Sequence, residues 1–454
     1  MPLARASRRE TLILLALIAV GAWLRMRSLS EMEFKRDEIE ALRFGIRLLA
    51  DRPWATGTGW PTHGMESSGR VDNPPLLTWI VAGVWAMRAD PLWVARVIAL
   101  ANVVCLYPLF CWCRRHMPSQ NALMVLALMA VTPFGVMFSR KIWGQDLLCV
   151  GVVTGIWAIE WLRSARPWRG VILLLLAFVF LGQLHLSGSI ALAVLPIALA
   201  CQWLVDRRRQ QPRPAWPRPS PREIAGVLGA LLLVLFFWLP YLSYLRQVPV
   251  EALGERPTLP GPTLDLFWRV ARQVRPADVF YFFQPDHDDF SAGLLRRWSL
   301  DWSIRLGTPL LIYGVWRWLR KPHALPVVGY WWLAVIAAFA LARIPAQPFY
   351  VLVLMPLPLM LAGGAFDGSL PRWVSSVLTA WRAAYLVARQ RTAANPSLSR
   401  SHNSDHHGTR HRDRQRVHWR SLPSVYLMRR YHRLYNRPRP QQKRWSSSGV
   451  TQAQ

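Results

Sequence analysis

Two neighbouring carboxylates, Asp37 and Glu38, stand just beyond the first long apolar run, in Phe34-Lys35-Arg36-Asp37-Glu38-Ile39-Glu40. A carboxylate can take a proton from an attacking hydroxyl, and cations can steady a departing phosphate. Such cations occur in later turns: Arg140 and Lys141, followed by Asp146, and Arg343 further on. Arg and Lys suit phosphate, although interfacial snorkelling explains Arg140-Lys141 equally well. His185, in Gln183-Leu184-His185-Leu186-Ser187-Gly188, reads either as a hydrogen-bonded histidine at a helix turn or as a catalytic one. Asp286, His287 and Asp288 offer oxygen and nitrogen ligands of the kinds that hold a divalent metal ion. That run lacks the EF-hand pattern, so a solvated turn is its simpler reading.

What must position these residues is a membrane bundle. The 454-residue chain is 52% hydrophobic with 25 Trp, many of them flanking apolar runs that approach the ~20 residues needed to cross a bilayer. The fold class expected is all-α and polytopic, with about ten transmembrane helices plus interfacial helices. Arg5, Arg8 and Arg9 precede the apolar run Leu12 to Leu24, and no small-residue cleavage site follows. It reads as an uncleaved first span with its N-terminus inside. Later spans are expected near 92–113, 122–138, 147–162, 170–184, 187–205, 224–244, 306–319, 325–342 and 347–366. The run Leu76 to Met87 is too short to cross and begins at Pro74-Pro75. The formal charge of +30 comes largely from Arg in short loops and the tail. That distribution suits topology signals, and no nucleic-acid signature accompanies it. Cys105, Cys111, Cys113, Cys149 and Cys201 lie in or at the ends of spans without a CxxC pair, which predicts neither disulfides nor a thiolate metal site.

The positive-inside rule chooses the topology. If Leu76–Met87 lies in the interface or re-enters, then Arg114-Arg115, the 163–169 turn, the 206–222 loop, 317–321 and the tail are all cytoplasmic, and all are basic. Asp37, Arg140, Lys141, Asp146, His185, the 246–304 loop and Arg343 then share the exterior face. The stripe Ile39, Leu42, Ile46, Leu49, with Arg43, Arg47 and Asp51 off it, predicts an amphipathic surface helix. Asp37 would head that helix, where the dipole favours an ionised carboxylate; a simple cap is the other reading.

In order and spacing, several of these residues resemble the lipid-linked-sugar glycosyltransferases with the GT-C fold, in particular the bacterial group similar to protein mannosyltransferases and aminoarabinose transferase (glycosyltransferase family 39-like). The resemblance covers roughly residues 10 to 366. It is carried by Asp37-Glu38, Pro74-Pro75-Leu76, Arg96 in Ala95-Arg96-Val97, Ser139-Arg140 with Asp146, and Tyr350 with Pro356. Asn73 stands where many members have Lys, His or Glu-Lys, and Ile142-Trp143-Gly144-Gln145-Asp146 replaces the commoner Arg-Pro-Asp turn.

The resemblance implies an inner (plasma) membrane enzyme working on the exterior or periplasmic face. Its donor would be a sugar on a polyprenyl phosphate, and its acceptor a lipid, glycan or protein. Asp37 would be the base, with Glu38 beside it. Arg140, Lys141, Asp146, Arg343 and Tyr350, or a bound metal, would handle the donor phosphate, with Arg96, His185 and Asn73 as further candidates. A transporter or lipid flippase, or an inactive glycosyltransferase homologue, are the competing classes. No internal repeat of the transporter kind is visible. The chain is expected to divide at 366. From Asp367 on there is no Glu, Arg abounds and six of the eleven His occur. That basic tail reads as disordered, contacting anionic lipid headgroups or arising from a frameshift.

Overall fold

A computed structural model of the protein describes residues 7–27, 29–31, 36–57, 59–66, 71–208, 216–248, 316, 326–341, 356–357 and 360. The described elements are helices and 3-10 turns. In chain order the helices are α1 (Arg8–Met26), α2 (Arg36–Asp51), α3 (Pro53–Thr56), α4 (Leu76–Met87), α5 (Pro91–His116), α6 (Ser119–Val131), α7 (Pro133–Phe138), α8 (Leu148–Leu162), α9 (Pro167–Leu184), α10 (Leu186–Ala193), α11 (Leu195–Arg208), α12 (Pro221–Gln247) and α13 (Pro326–Leu341). A 3-10 turn, Gly144–Leu147, leads into α8.

Local chemistry explains several starts. Ser7 Oγ accepts from Glu10 N, Asp90 Oδ1 accepts from Leu92 N, and Ser220 forms a capping box with Glu223. Proline opens α5, α9 and α12, where a missing N–H costs nothing.

Five segments are long and apolar enough to span a membrane: Pro91–His116, Gly144–Leu162, Pro167–Leu184, Leu186–Arg208 and Pro221–Gln247. The chain is a multi-pass membrane protein. Shorter apolar helices occur at Leu76–Met87, Ser119–Val131 and Val327–Leu341. Helix α1 carries Glu10 and Arg25 within its 19 residues, and both are buried against protein. One expected span turns out to be broken: the 122–138 run is divided into α6 and α7 at Thr132-Pro133. The expected 187–205 span is present as Leu186–Arg208, with a change of helix at Val194. The expected spans at 306–319 and 347–366, and the tail from 367, lie almost wholly outside the described residues.

Helices α8 and α9 pack closely, because a side chain at Gly170 would run into Leu162 backbone and Ala158 O. Trp331 of α13 is fully buried and donates to Ala191 O at 2.8 Å.

The two ends of the bundle differ. At one end Glu10 pairs with Arg114 at 2.7 Å, His116 with Glu160 at 2.9 Å, and Arg163 with Asp206 at 2.9 Å. These contacts tie α1 to α5, α5 to α8 and α8 to α11. The opposite end gathers the end of α1 and the starts of α2, α4, α8 and α10. Fourteen residues separate Asn102 from His116 and Asp146 from Glu160, about 21 Å of helix in each case. A hydrocarbon core is about 30 Å thick. With the Arg114 layer at one membrane boundary, the Asp146 layer is recessed below the other. Helix α5 continues about 16 Å beyond Asn102 to Pro91. The 12-residue α4 climbs a similar distance from Leu76 and joins α5 through Arg88–Asp90. This makes α4 a half-length wall helix that does not cross by itself.

Candidate functional site

The opening carboxylates divide between two environments. Both lie in the first turn of α2, where Asp37 is exposed and Glu38 is 2% exposed. The buried face of α2 runs through Glu38, Ala41, Leu42, Gly45 and Leu48, while Ile39, Ile46 and Leu49 are only half-buried. The expected stripe is therefore rotated, because small residues at 41 and 45 let α4 approach. Arg43, Arg47 and Asp51 face outward as expected.

Glu38 Oε1 lies 3.6 Å from Lys141 Nζ, and the lysine is also buried. The ammonium rests over the Trp143 ring at 4.3 Å from its centroid. Asp146 is buried beside them, close enough to feel both charges. The amides of Trp143 and Lys141 face its carboxylate, yet neither meets hydrogen-bond geometry, and its two oxygens have no hydrogen-bond partner among the described residues. The backbone of Asp146 is held from α5, where Asn102 Nδ2 donates to its carbonyl at 2.9 Å. Two carboxylates and one ammonium from distant segments thus form one water-excluded cluster. Arg140 donates from Nη2 to Arg27 O at 2.6 Å.

The adjoining wall is built around the break between α9 and α10. His185 caps α10: its Nδ1 accepts from Ser187 N at 3.1 Å and meets Ser187 Oγ at 2.8 Å. Since Nδ1 accepts, the neutral ring carries its proton on Nε2, which lies 2.9 Å from Gln145 Nε2. Two donors cannot pair, so the Gln145 amide is turned over and its oxygen accepts. Burial pushes the imidazolium pKa down to about 3, so the ring is neutral at physiological pH.

Asn73 spends both polar atoms on backbone: Nδ2 donates to Met65 O at 3.3 Å, and Oδ1 receives Leu186 N at 3.5 Å. It fastens the loop before α4 to the start of α10, which is a structural task. Gly144 lies so close that a Cβ would overlap Leu184 O. A cavity with room for about one water is lined by Ala41, Asn73, Leu77, Gly144, Gln145 and His185, among others.

Of the expected site residues, Glu38, Lys141 and Asp146 come together, with Asp37 on the adjacent surface and Asn73 and His185 on the neighbouring wall. Arg96 does not join them. It lies on the exposed face of α5 in line with Leu100, Val104 and Tyr107. Arg343, Tyr350, Asp286, His287 and Asp288 lie outside the described residues. Three polar residues in apolar runs went unnoticed in the sequence: Arg25, Asn102 and Gln183, all buried. Their signal was present, since a polar group inside a span needs an interior partner.

For a divalent metal, no group of three His, Cys, Asp or Glu side chains converges among the described residues. The Lys141 ammonium also stands beside Glu38 and Asp146, where it would repel a second cation. These residues do not fit a metal centre.

No family model matches the chain, and no curated protein matches it significantly. Among solved structures it is similar to archaeal oligosaccharyltransferase AglB from Archaeoglobus fulgidus in complex with an inhibitory peptide and a dolichol-phosphate, at 13% identity and TM-score 0.43, covering 84% of this chain and 54% of that one. It is similar to the Archaeoglobus fulgidus oligosaccharyltransferase in its apo form, at 15% identity and TM-score 0.41, with 84% and 54% covered. The same enzyme in complex with Zn and sulfate matches at 13% identity and TM-score 0.41, with 83% and 51% covered. The chain spans about half the length of the structures it matches.

Proposed function

We propose that the protein is a membrane glycosyltransferase that moves a sugar from a polyprenyl-phosphate donor to an acceptor hydroxyl at the Glu38 end of the bundle, facing the exterior. The observation that carries this reading is the convergence of Glu38, Lys141 and Asp146 beneath an exposed Asp37, in a layer walled by α4 and α5. The resemblance in sequence supplies the reaction class. Asp37 takes the proton of the acceptor hydroxyl as its oxygen bonds to the anomeric carbon. The bond from that carbon to the phosphate oxygen breaks, and the phosphate leaves on the polyprenyl chain with the bonding pair. Transfer inverts the anomeric centre. Arg140 and Lys141 offset the charge gathering on the phosphate. Glu38 holds Lys141 in place until the phosphate competes for it.

The test uses the full chain in lipid nanodiscs with a labelled undecaprenyl-phosphate hexose, offered lipid, glycan and peptide acceptors in turn. Release of polyprenyl phosphate together with labelled acceptor supports transfer. Movement of the donor across the bilayer without cleavage would assign the protein to the flippases. Intact and unmoved donor in every case would mark an inactive homologue.

A further inference from the structure

Arg25 is a buried cation that the proposed reaction does not use. It is 0% exposed, and no carboxylate pairs with it among the described residues. Its Nη2 donates to Met129 O at 2.8 Å and its Nη1 to Ala130 O at 2.8 Å, with a longer reach to Gly21 O at 3.2 Å. The reason lies in Pro133. Proline has no N–H, so the carbonyl four residues back, Met129, has lost its helical partner. A stranded carbonyl inside the protein is destabilising unless a donor is found. The guanidinium fork meets two neighbouring carbonyls at once, and the negative end of α6 compensates its charge.

Two residues further along α1, the carbonyl of Arg27 accepts from Arg140 Nη2. The end of α1 therefore grips the segment 129–140 at both ends, with only the six-residue α7 between the grips. Lys141 follows directly. We infer that Arg25 is a positioning residue: by holding the broken end of α6 it places the turn that carries Arg140, Lys141 and Asp146. Its functional meaning rests on the transfer reading, because Arg140 and Lys141 are the cations assigned to the phosphate.

Hydrogen exchange on the full-length protein in detergent tests the inference without any donor, so its failure and a failure of the transfer reading are separate results. In Arg25→Met the amides of 132–146 should exchange at least tenfold faster, while peptides covering 110–118 and 158–164 stay within twofold of wild type. Arg25→Lys, whose single ammonium reaches one carbonyl, should fall between the two. Arg114→Met, at the other end of the bundle, should loosen 110–118 and leave 132–146 unchanged. Unchanged exchange at 132–146 in Arg25→Met, equal loosening of every helix, or Arg25→Lys behaving like Arg25→Met would each overturn the assignment. Should Arg25→Met fail to fold, Arg25→Lys alone still decides. Exchange at 132–146 raised three- to tenfold against a quiet background supports it, and a uniform or absent change refutes it.

Discussion

Lys141 reaches across from the turn before α8 to stand 3.6 Å from Glu38, with both side chains closed off from solvent. Asp146 shares their surroundings, so the lysine's charge offsets two carboxylates that would otherwise repel each other in a poorly screened interior. Breaking a buried pair from one side costs about 3–5 kcal/mol, because the remaining charge is stranded. Lys141→Met should therefore lower the unfolding midpoint in detergent more than the Lys141→Met/Glu38→Gln double variant does. Scanning fluorimetry reads this directly; a double variant less stable than Lys141→Met would show that Glu38 and Lys141 act independently.

His185 makes a pH-dependent contribution whose sign is set by its lowered pKa. The unfolded ring binds a proton below about 6.5, whereas the folded ring stays neutral down to about 3. Its contribution is complete above about pH 6.5 and is lost as pH falls toward 3. At pH 5 the loss is about 2 kcal/mol relative to pH 7. His185→Asn keeps a cap acceptor for Ser187 N without a titrating ring. Unfolding midpoints taken from pH 7 to pH 5 should fall less steeply in that variant, and parallel slopes would contradict the assignment.

Gly144 is required for closeness. In Gly144→Ala the new methyl meets the Leu184 carbonyl, which is backbone and cannot rotate away. The 139–147 turn must shift, and donor cleavage should drop at least tenfold. Gly83→Ala is the matched control. Nothing lies within 4 Å of a Cβ there, and an alanine inside α4 should add about 0.5–1 kcal/mol of stability. Equal activity of the two variants would show that the turn tolerates displacement.

Arg96 and Arg140 separate likeness from geometry. Both belong to the sequence resemblance, but Arg96 faces outward from α5 whereas Arg140 is docked on the end of α1. Arg96→Gln should leave donor cleavage within twofold of wild type, and Arg140→Gln should reduce it at least tenfold. A large loss in Arg96→Gln would mean that the exposed face of α5 meets the donor.

Much of the bundle was legible in the sequence because a span announces itself by length and apolarity alone. The spans at α5, α8, α9 and α12 fall where the apolar runs are. The breaks were harder. Pro133 was visible, but a run of apolar residues on both sides hides whether the helix resumes straight. That depends on Arg25, more than a hundred residues earlier, supplying donors to the stranded carbonyls. Likewise, the rotated stripe of α2 follows from Gly45 meeting Val81 of α4, a contact that no window of α2 alone contains. For the candidate site, the residue types and their common end could be read from the positive-inside rule. Which of Asp37 and Glu38 is exposed could not, since adjacent helical positions differ by 100° and only the packing partner sets the inward direction.

The measurement that tests the proposed mechanism most directly is the rate of polyprenyl-phosphate release by Asp37→Asn. With the carboxylate exposed in the first turn of α2, the substituted protein should still fold and keep its donor KM. Release should slow by a factor of about 10²–10⁴, the usual contribution of a general base. Release by a folded Asp37→Asn protein within tenfold of the wild-type rate would contradict the assignment of Asp37 as the base.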